Sequence, residues 1–186
     1  MAQEILALVI QFAGSFYTTL VLLRFLLQWS RADFYNPISQ FVVKATNPLL
    51  LPLRRIIPGL GGLDLASLVL GWLVMATMLG LLTVISGYPF NPGFVAALAL
   101  IKLANALLQI YFWAIIAVIA LSWIAPGSIH PAARLLAQIT EPVMQPFRKV
   151  LPPMGGLDLS PILVFLVINV LEVMLHHLAR SLGTIL

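Results

Sequence analysis

Lys102 and Glu172 are the residues best placed to do chemistry in an apolar setting. Each lies inside a long hydrophobic run, where a charge is costly and marks a functional candidate. Read as helices, both runs put their charge about 9–12 Å from the same end, at about 1.5 Å per residue. If the two helices run antiparallel, a Lys102–Glu172 ion pair closes between them, with Asn105 and Asn169 matched in depth one turn further in. Asn169, Glu172, His176 and Arg180 recur at three- and four-residue spacing and so share one helical face. Such a stripe could conduct or couple an ion. It could equally satisfy its own members and hold two helices together.

Other chemistry is poorly provided for. The chain has no cysteine, so thiolate ligands, disulfides and a cysteine nucleophile are excluded. Adjacent His176 and His177 point about 100° apart on a helix, a poor metal pair, and no third histidine clusters with them. There is no Ser-His-Asp arrangement, phosphate loop or carboxylate pair. No enzyme activity, metal or cofactor is expected.

A second charged constellation is written twice. "GGLDL" occurs at Gly61–Leu65 and again at Gly155–Leu159, 94 residues on. Sliding the chain by 94 places Trp29 on Trp123, Pro37 on Pro131, Thr46 on Thr140, Pro48 on Pro142 and Pro52 on Pro146. Arg54 falls on Arg148 and Asp64 on Asp158, with 12 identities in the 37 positions from 29 to 65. The matched residues are prolines, glycines and charges rather than interchangeable leucines, so the chain is an internal repeat. Gly61–Gly62 and Gly155–Gly156 give a sharp reversal. Asp64 and Asp158 then sit where a spanning helix begins, able to cap free N–H groups at the positive end of its dipole. Arg54 and Arg148, ten residues earlier, could fold back to pair with them.

The elements that position these groups follow from composition. Of 186 residues, 61% are hydrophobic and 9% charged, against about 25% charged in a soluble domain. Such a chain needs a bilayer. Four runs reach the roughly 20 residues a helix needs to cross one: 5–29, 65–86, 94–123 and 159–178. The expected fold is an all-α integral membrane protein of two parallel repeats, 1–90 and 91–186. Each repeat is a span, a long connection and a second span. The N-terminus lacks a basic leader and reads as a retained span. Seven of ten Lys and Arg residues lie in the connections 30–63 and 124–157, while the turn 86–93 has none. The positive-inside rule therefore puts both connections in the cytoplasm, with Arg180 a mild counter-signal. Arg24, near the inner end of the first span, is expected to snorkel toward the interface marked by Trp29. The net charge of +4 is spread over short loops and fits a membrane surface rather than nucleic acid.

Each connection begins with an amphipathic segment that is too short to span, "NPISQFVVKAT" with Asn36 as N-cap and Pro37 at the first position, and "HPAARLLAQIT". Thr46 and Thr140 then read as caps of a separate short re-entrant or interfacial helix, which Pro52 and Pro146 would kink or interrupt.

The doubled element, Trp29, Asn36–Pro37, Thr46, Pro48, Pro52, Arg54, Pro58, Gly61–Gly62, Asp64 and its second copy ending Asp158–Ser160–Pro161, resembles the signature of the YggT (YlmG) family. The resemblance covers nearly the whole chain. It departs at Ala66–Ser67, which replaces Ser-Pro, and at His130, which replaces the capping Asn. It implies a small multi-pass protein of the bacterial inner membrane, with relatives in chloroplasts. It also implies links to osmotic and ionic tolerance, division-gene neighbourhoods and, in plastids, cytochrome b6 haem attachment and nucleoid distribution. It brings no catalytic residues. Two functions follow. One is a non-enzymatic scaffold or assembly factor, docking lipid or a membrane or cytoplasmic protein through its paired amphipathic elements. The other is a small ion transporter or channel using the Lys102/Glu172 stripe, which at four spans would need a homo-oligomer to build a pore.

Overall fold

The computed structural model describes residues 1–125, 127–151 and 158–185. The expectations for Pro152, Gly155 and Gly156 lie outside these residues. Six helices follow in order: α1 (Ala2–Trp29), α2 (Pro37–Ile56), α3 (Leu65–Ile85), α4 (Pro92–Ile124), α5 (Pro131–Val150) and α6 (Ser160–Ile185). Four of them, α1, α3, α4 and α6, are long and apolar enough to cross a membrane. The described residues hold no strand beyond a single Leu60–Leu63 bridge.

Helix starts are set by short polar side chains. Asn36 Oδ1 accepts from Ile38 N at 2.9 Å and Asn91 Oδ1 from Phe94 N at 3.1 Å. His130 does the same work with a ring nitrogen, Nδ1 accepting from Ala132 N at 3.2 Å. Pro37, Pro92 and Pro131 follow these caps, at a position whose N–H has no intrahelical partner. Helix α1 stops in a Schellman motif: Ala32 N donates to Leu27 O at 2.9 Å and Arg31 N to Gln28 O at 3.2 Å. Arg31 takes the left-handed position usually given to glycine, with φ 51°.

The connections differ from expectation. Each is one continuous 20-residue helix rather than an amphipathic segment and a separate short helix. Thr46 and Thr140 are not caps. Thr46 Oγ1 donates to Val42 O at 2.7 Å, and Thr140 Oγ1 to Leu136 O at 2.9 Å, inside unbroken helix. Pro48 and Pro52 lie four apart, so the ladder bonds they delete fall on one face, and that face is exposed. The freed carbonyls are thus not sealed in the core, and the helix survives two prolines.

Between α2 and α3 the chain reverses through Gly61 (φ 60°) and Gly62 (φ 87°), closed by Leu60 and Leu63 exchanging both backbone hydrogen bonds at 3.2 and 2.9 Å. Two successive left-handed residues are what a type I′ turn needs, and glycine supplies them without steric cost.

Helix α1 packs on α2, α3 and α4, while α4 packs on α3, α5 and α6. The main core lies at the end of the bundle that carries α2 and α5, where Leu26, Leu27, Val42, Ile115, Ile139 and Val164 meet. Toward the other end, packing depends on close approach rather than on hydrophobic drive, which lipid does not supply between helices. A Cβ at Gly71 would sit 3.1 Å from Leu103, and one at Gly14 would sit 2.7 Å from Met78.

Candidate functional site: two arginine–aspartate pairs and the polar groups of the spans

The ten-residue spacing of arginine and aspartate closes in both halves. In the first, Arg54 at the end of α2 folds back over the glycine turn to Asp64, with Nη2 2.5 Å from Oδ2 and Nε 3.4 Å from Oδ1. Asp64 simultaneously caps α3, accepting from Ser67 N at 3.4 Å and from the Ser67 hydroxyl. Arg54 Nη2 also donates to Gln28 Oε1 at 3.0 Å, tying the hairpin to α1. Asp64 is 4% exposed. Burial alone would raise its carboxyl, but hydrogen bonds from Arg54 and Ser67, with the Arg54 charge, hold it below the usual aspartate range. Capping and ion pairing are thus one arrangement here.

The second half makes the same arginine–aspartate pair more openly. Arg148 Nε donates to Asp158 Oδ2 at 2.9 Å, and its Nη1 goes to Glu141 Oε2 at 2.6 Å. Asp158 accepts from Ser160 N at 3.0 Å and from the Ser160 hydroxyl. Its side chain is 32% exposed. Burial again opposes ionisation, and Ser160 and Arg148 together still hold the carboxyl low. Burial lowers Arg148, but Asp158 and Glu141 outweigh it and raise it.

Beside this pair opens a cleft of about 610 Å³, lined by Ile115, Val118, Ser122, Thr140, Arg148 and Asp158 among others. The positions 94 residues earlier are Val21, Arg24, Gln28, Thr46, Arg54 and Asp64. Of these, Val21, Arg24, Thr46 and Asp64 are buried. Replacing Arg24 and Gln28 by Val118 and Ser122 removes the long side chains that occupy this place in the first half.

The two connections are stitched together at their helix starts. Asn36 Nδ2 donates to Pro131 O at 2.7 Å, and Asp33 N donates to Gln138 Oε1 at 3.0 Å. Trp29 stacks edge-on against Tyr111, with ring centroids 6.3 Å apart, whereas Trp123 is 75% exposed.

The polar stripe of the spans is not assembled as expected. There is no Lys102–Glu172 pair. Glu172 accepts from the Gln109 side-chain amide instead, and Lys102 is exposed with no partner among the described residues. Gln109 lies seven residues along α4 from Lys102, roughly 10 Å at about 1.5 Å per residue. Asn105 and Asn169 do not meet: Asn105 Oδ1 is buried without a partner, and Asn169 Nδ2 donates to Phe165 O at 2.7 Å in its own helix. His176 Nδ1 lies 2.7 Å from Glu172 O, a carbonyl that can only accept, so Nδ1 carries the proton. Arg24 is directed toward the connection that follows α1, but it is enclosed by protein. It sits on the inward face of α1 with buried Leu20 and Leu27, 7% exposed, its guanidinium 5.1 Å from the Phe34 ring centroid. Gln28 and Gln109 were overlooked because they are neutral. Gln28's signal is its i+4 spacing from Arg24 on α1. Among the described residues no three His, Asp or Glu side chains gather closely enough to hold a metal.

The CCB3/YggT family matches residues 3–85 and again residues 97–179. A protein of Pseudomonas aeruginosa is 50% identical over 179 residues, covering 94% of this chain and 90% of that protein. YggT of Escherichia coli (strain K12) is 36% identical over 170 residues, covering 91% and 88%. The chloroplastic YlmG homolog protein 2 of Arabidopsis thaliana is 39% identical over 90 residues, covering 42% and 34%. No solved structure matches the chain. The doubled match falls on α1–α3 and α4–α6, the segments that carry the two arginine–aspartate pairs, and the chain belongs to the CCB3/YggT family.

Proposed function

We propose that this is a non-enzymatic scaffold or assembly factor of the bacterial inner membrane, built from two parallel repeats with α2 and α5 on the cytoplasmic side. Envelope homeostasis, with osmotic and ionic tolerance, is the role the family resemblance implies. The observation that carries the reading is the contrast between the outer faces of α2 and α5. Helix α2 exposes Ile38, Phe41, Leu49, Leu51 and Ile56, with Lys44 and Arg55 beside them. That is an apolar face flanked by cations, suited to lie in the headgroup region of an anionic leaflet. Helix α5 exposes Arg134, Glu141, Gln145 and Lys149, a polar row at seven- and four-residue spacing on one helical face, suited to a water-soluble protein partner. One connection grips lipid and the other presents a docking face, and the Asn36–Pro131 and Asp33–Gln138 bonds keep the two in fixed relation.

Ion passage is the second reading, and the unpartnered Lys102 in an apolar span favours it. Both are tested in a strain lacking the protein and challenged with salt. Charge reversal on α5, Arg134→Glu with Lys149→Glu, is expected to abolish rescue of growth, while Glu172→Gln rescues fully. Proteoliposomes of wild type and Glu172→Gln are expected to carry no potassium or sodium flux. Flux in the wild type that Glu172→Gln removes, together with lost rescue, would replace the scaffold by a transporter.

A further inference from the structure

We propose that Arg24, with Arg54, forms a site for a phosphate group at the α2 end of α1. Arg24 stays charged under all ordinary conditions. Its Nε and Nη1 are fully buried and have no hydrogen-bond partner. Nη2, shared by both donor edges of the guanidinium fork, is not among these sealed atoms and is the group's opening to the surface. A buried guanidinium left this way is strongly unfavourable unless an acceptor reaches it.

The acceptors around it are already engaged. Asp64, within electrostatic reach of Arg24, gives its oxygens to Arg54 and Ser67. Gln28 Oε1 takes Arg54 Nη2. Phe34 lies near the guanidinium carbon and offers its π-face, which leaves the edge donors free. Arg24 and Arg54 together carry two positive charges against one negative charge on Asp64. The cluster is short of one anion.

Arginine forks match phosphate bidentately. Arg24 is five residues from the end of α1, or roughly 7.5 Å at about 1.5 Å per residue, in a helix long and apolar enough to cross a membrane. A lipid phosphate and a free phosphate offer the same chemistry there. The second half supplies an internal comparison. Val118 stands in place of Arg24, and Arg148 is balanced by both Glu141 and Asp158. The site belongs to the first half alone, and it stands whether or not α5 docks a partner.

The test uses the full-length protein, delipidated in a neutral detergent. Thermal unfolding is followed with added phosphatidylglycerol, phosphatidylethanolamine or inorganic phosphate, for wild type, Arg24→Met, Arg24→Gln and the second-half control Lys149→Met. Wild type and Lys149→Met are expected to bind phosphatidylglycerol with equal affinity, at least tenfold more tightly than either Arg24 variant. The Arg24 variants are expected to melt, without ligand, no lower than wild type, because they lose an unpaired buried charge. Stabilisation by inorganic phosphate that Arg24→Met abolishes identifies a free anion as the source; Arg24-dependent stabilisation by lipid and not by inorganic phosphate identifies a headgroup. The proposal is overturned if Arg24→Met and Arg24→Gln keep the wild-type response. It is equally overturned if no phosphate-bearing ligand stabilises the wild type.

Discussion

Asp64→Ala is expected to destabilise the folded protein by about 2–4 kcal/mol, and Asp158→Ala by about 1 kcal/mol. The substitutions are equivalent in sequence and unequal in burial. Asp64 is 4% exposed, and removing it strands Arg54, takes the acceptor from Ser67 and uncaps α3. Arg54 keeps 29% of its side-chain surface, so solvent recovers part of the loss and the effect stays below that of a fully sealed pair. Asp158 is already one-third exposed, and Arg148 retains Glu141 when it goes. Thermal unfolding in micelles measures both, and equal effects would refute the assignment. Arg54→Ala with Asp64→Ala should cost less than the sum of the singles, because removing both partners leaves no orphaned charge. The same pair sets the acid limit. The Asp64 carboxyl titrates lower in the folded chain than in the unfolded one. Its contribution is complete above the ordinary aspartate value of about 3.9 and disappears as pH falls through the lower folded value. The melting temperature of the wild type should therefore fall below about pH 4, and that of Asp64→Ala should fall less over the same interval.

Gly14→Ala is expected to destabilise the α1–α3 pair by about 1–3 kcal/mol. The added carbon would lie 2.7 Å from Met78 Cγ and Sδ and 2.9 Å from its Cβ, closer than real atoms approach. The Cβ contact decides the sign: a flexible thioether tip could swing aside, but Cβ moves only with the helix. Met78 is also buried and accepts a weak bond from Ser15 Oγ at 3.7 Å. Met78→Ala in the Gly14→Ala background should recover stability, giving a coupling of about 1 kcal/mol or more in a double-mutant cycle. Additive effects would show that the helices separate by some other route.

Local chemistry was legible in the sequence and inter-helix register was not. Asn36 and Asp64 cap as their position implies, because a cap depends on two or three neighbouring residues. Arg54 reaches Asp64 because the intervening glycines fold back on themselves. Lys102 and Glu172 failed for a traceable reason. Depth counted from helix ends depends on where each helix stops, and α6 runs to Ile185, seven residues beyond the apolar run that ends at Leu178. Glu172's partner moved the same seven residues along α4, from Lys102 to Gln109. Hydropathy falls off gradually along "HHLARSLGTIL" and cannot locate such an end. The enclosure of Arg24 by protein was not legible, because depth along a helix says nothing about which face a side chain takes. Thr46 was misjudged because a threonine before a proline serves equally as a cap or as a donor to its own helix.

The cleft beside Arg148 bears on the order in which the protein would come apart. The first half surrounds its hairpin with sealed side chains and ties it to α1 through Gln28. The second leaves about 610 Å³ at the same place and an aspartate within reach of water. Two copies of one sequence pattern thus differ in cooperativity. The first half should open only as a unit, whereas α5 and the start of α6 can part from α4 at lower free energy while α1, α2 and α3 stay joined. A helical body with one firm half and one yielding half is expected to change shape at its yielding side without giving up its fold.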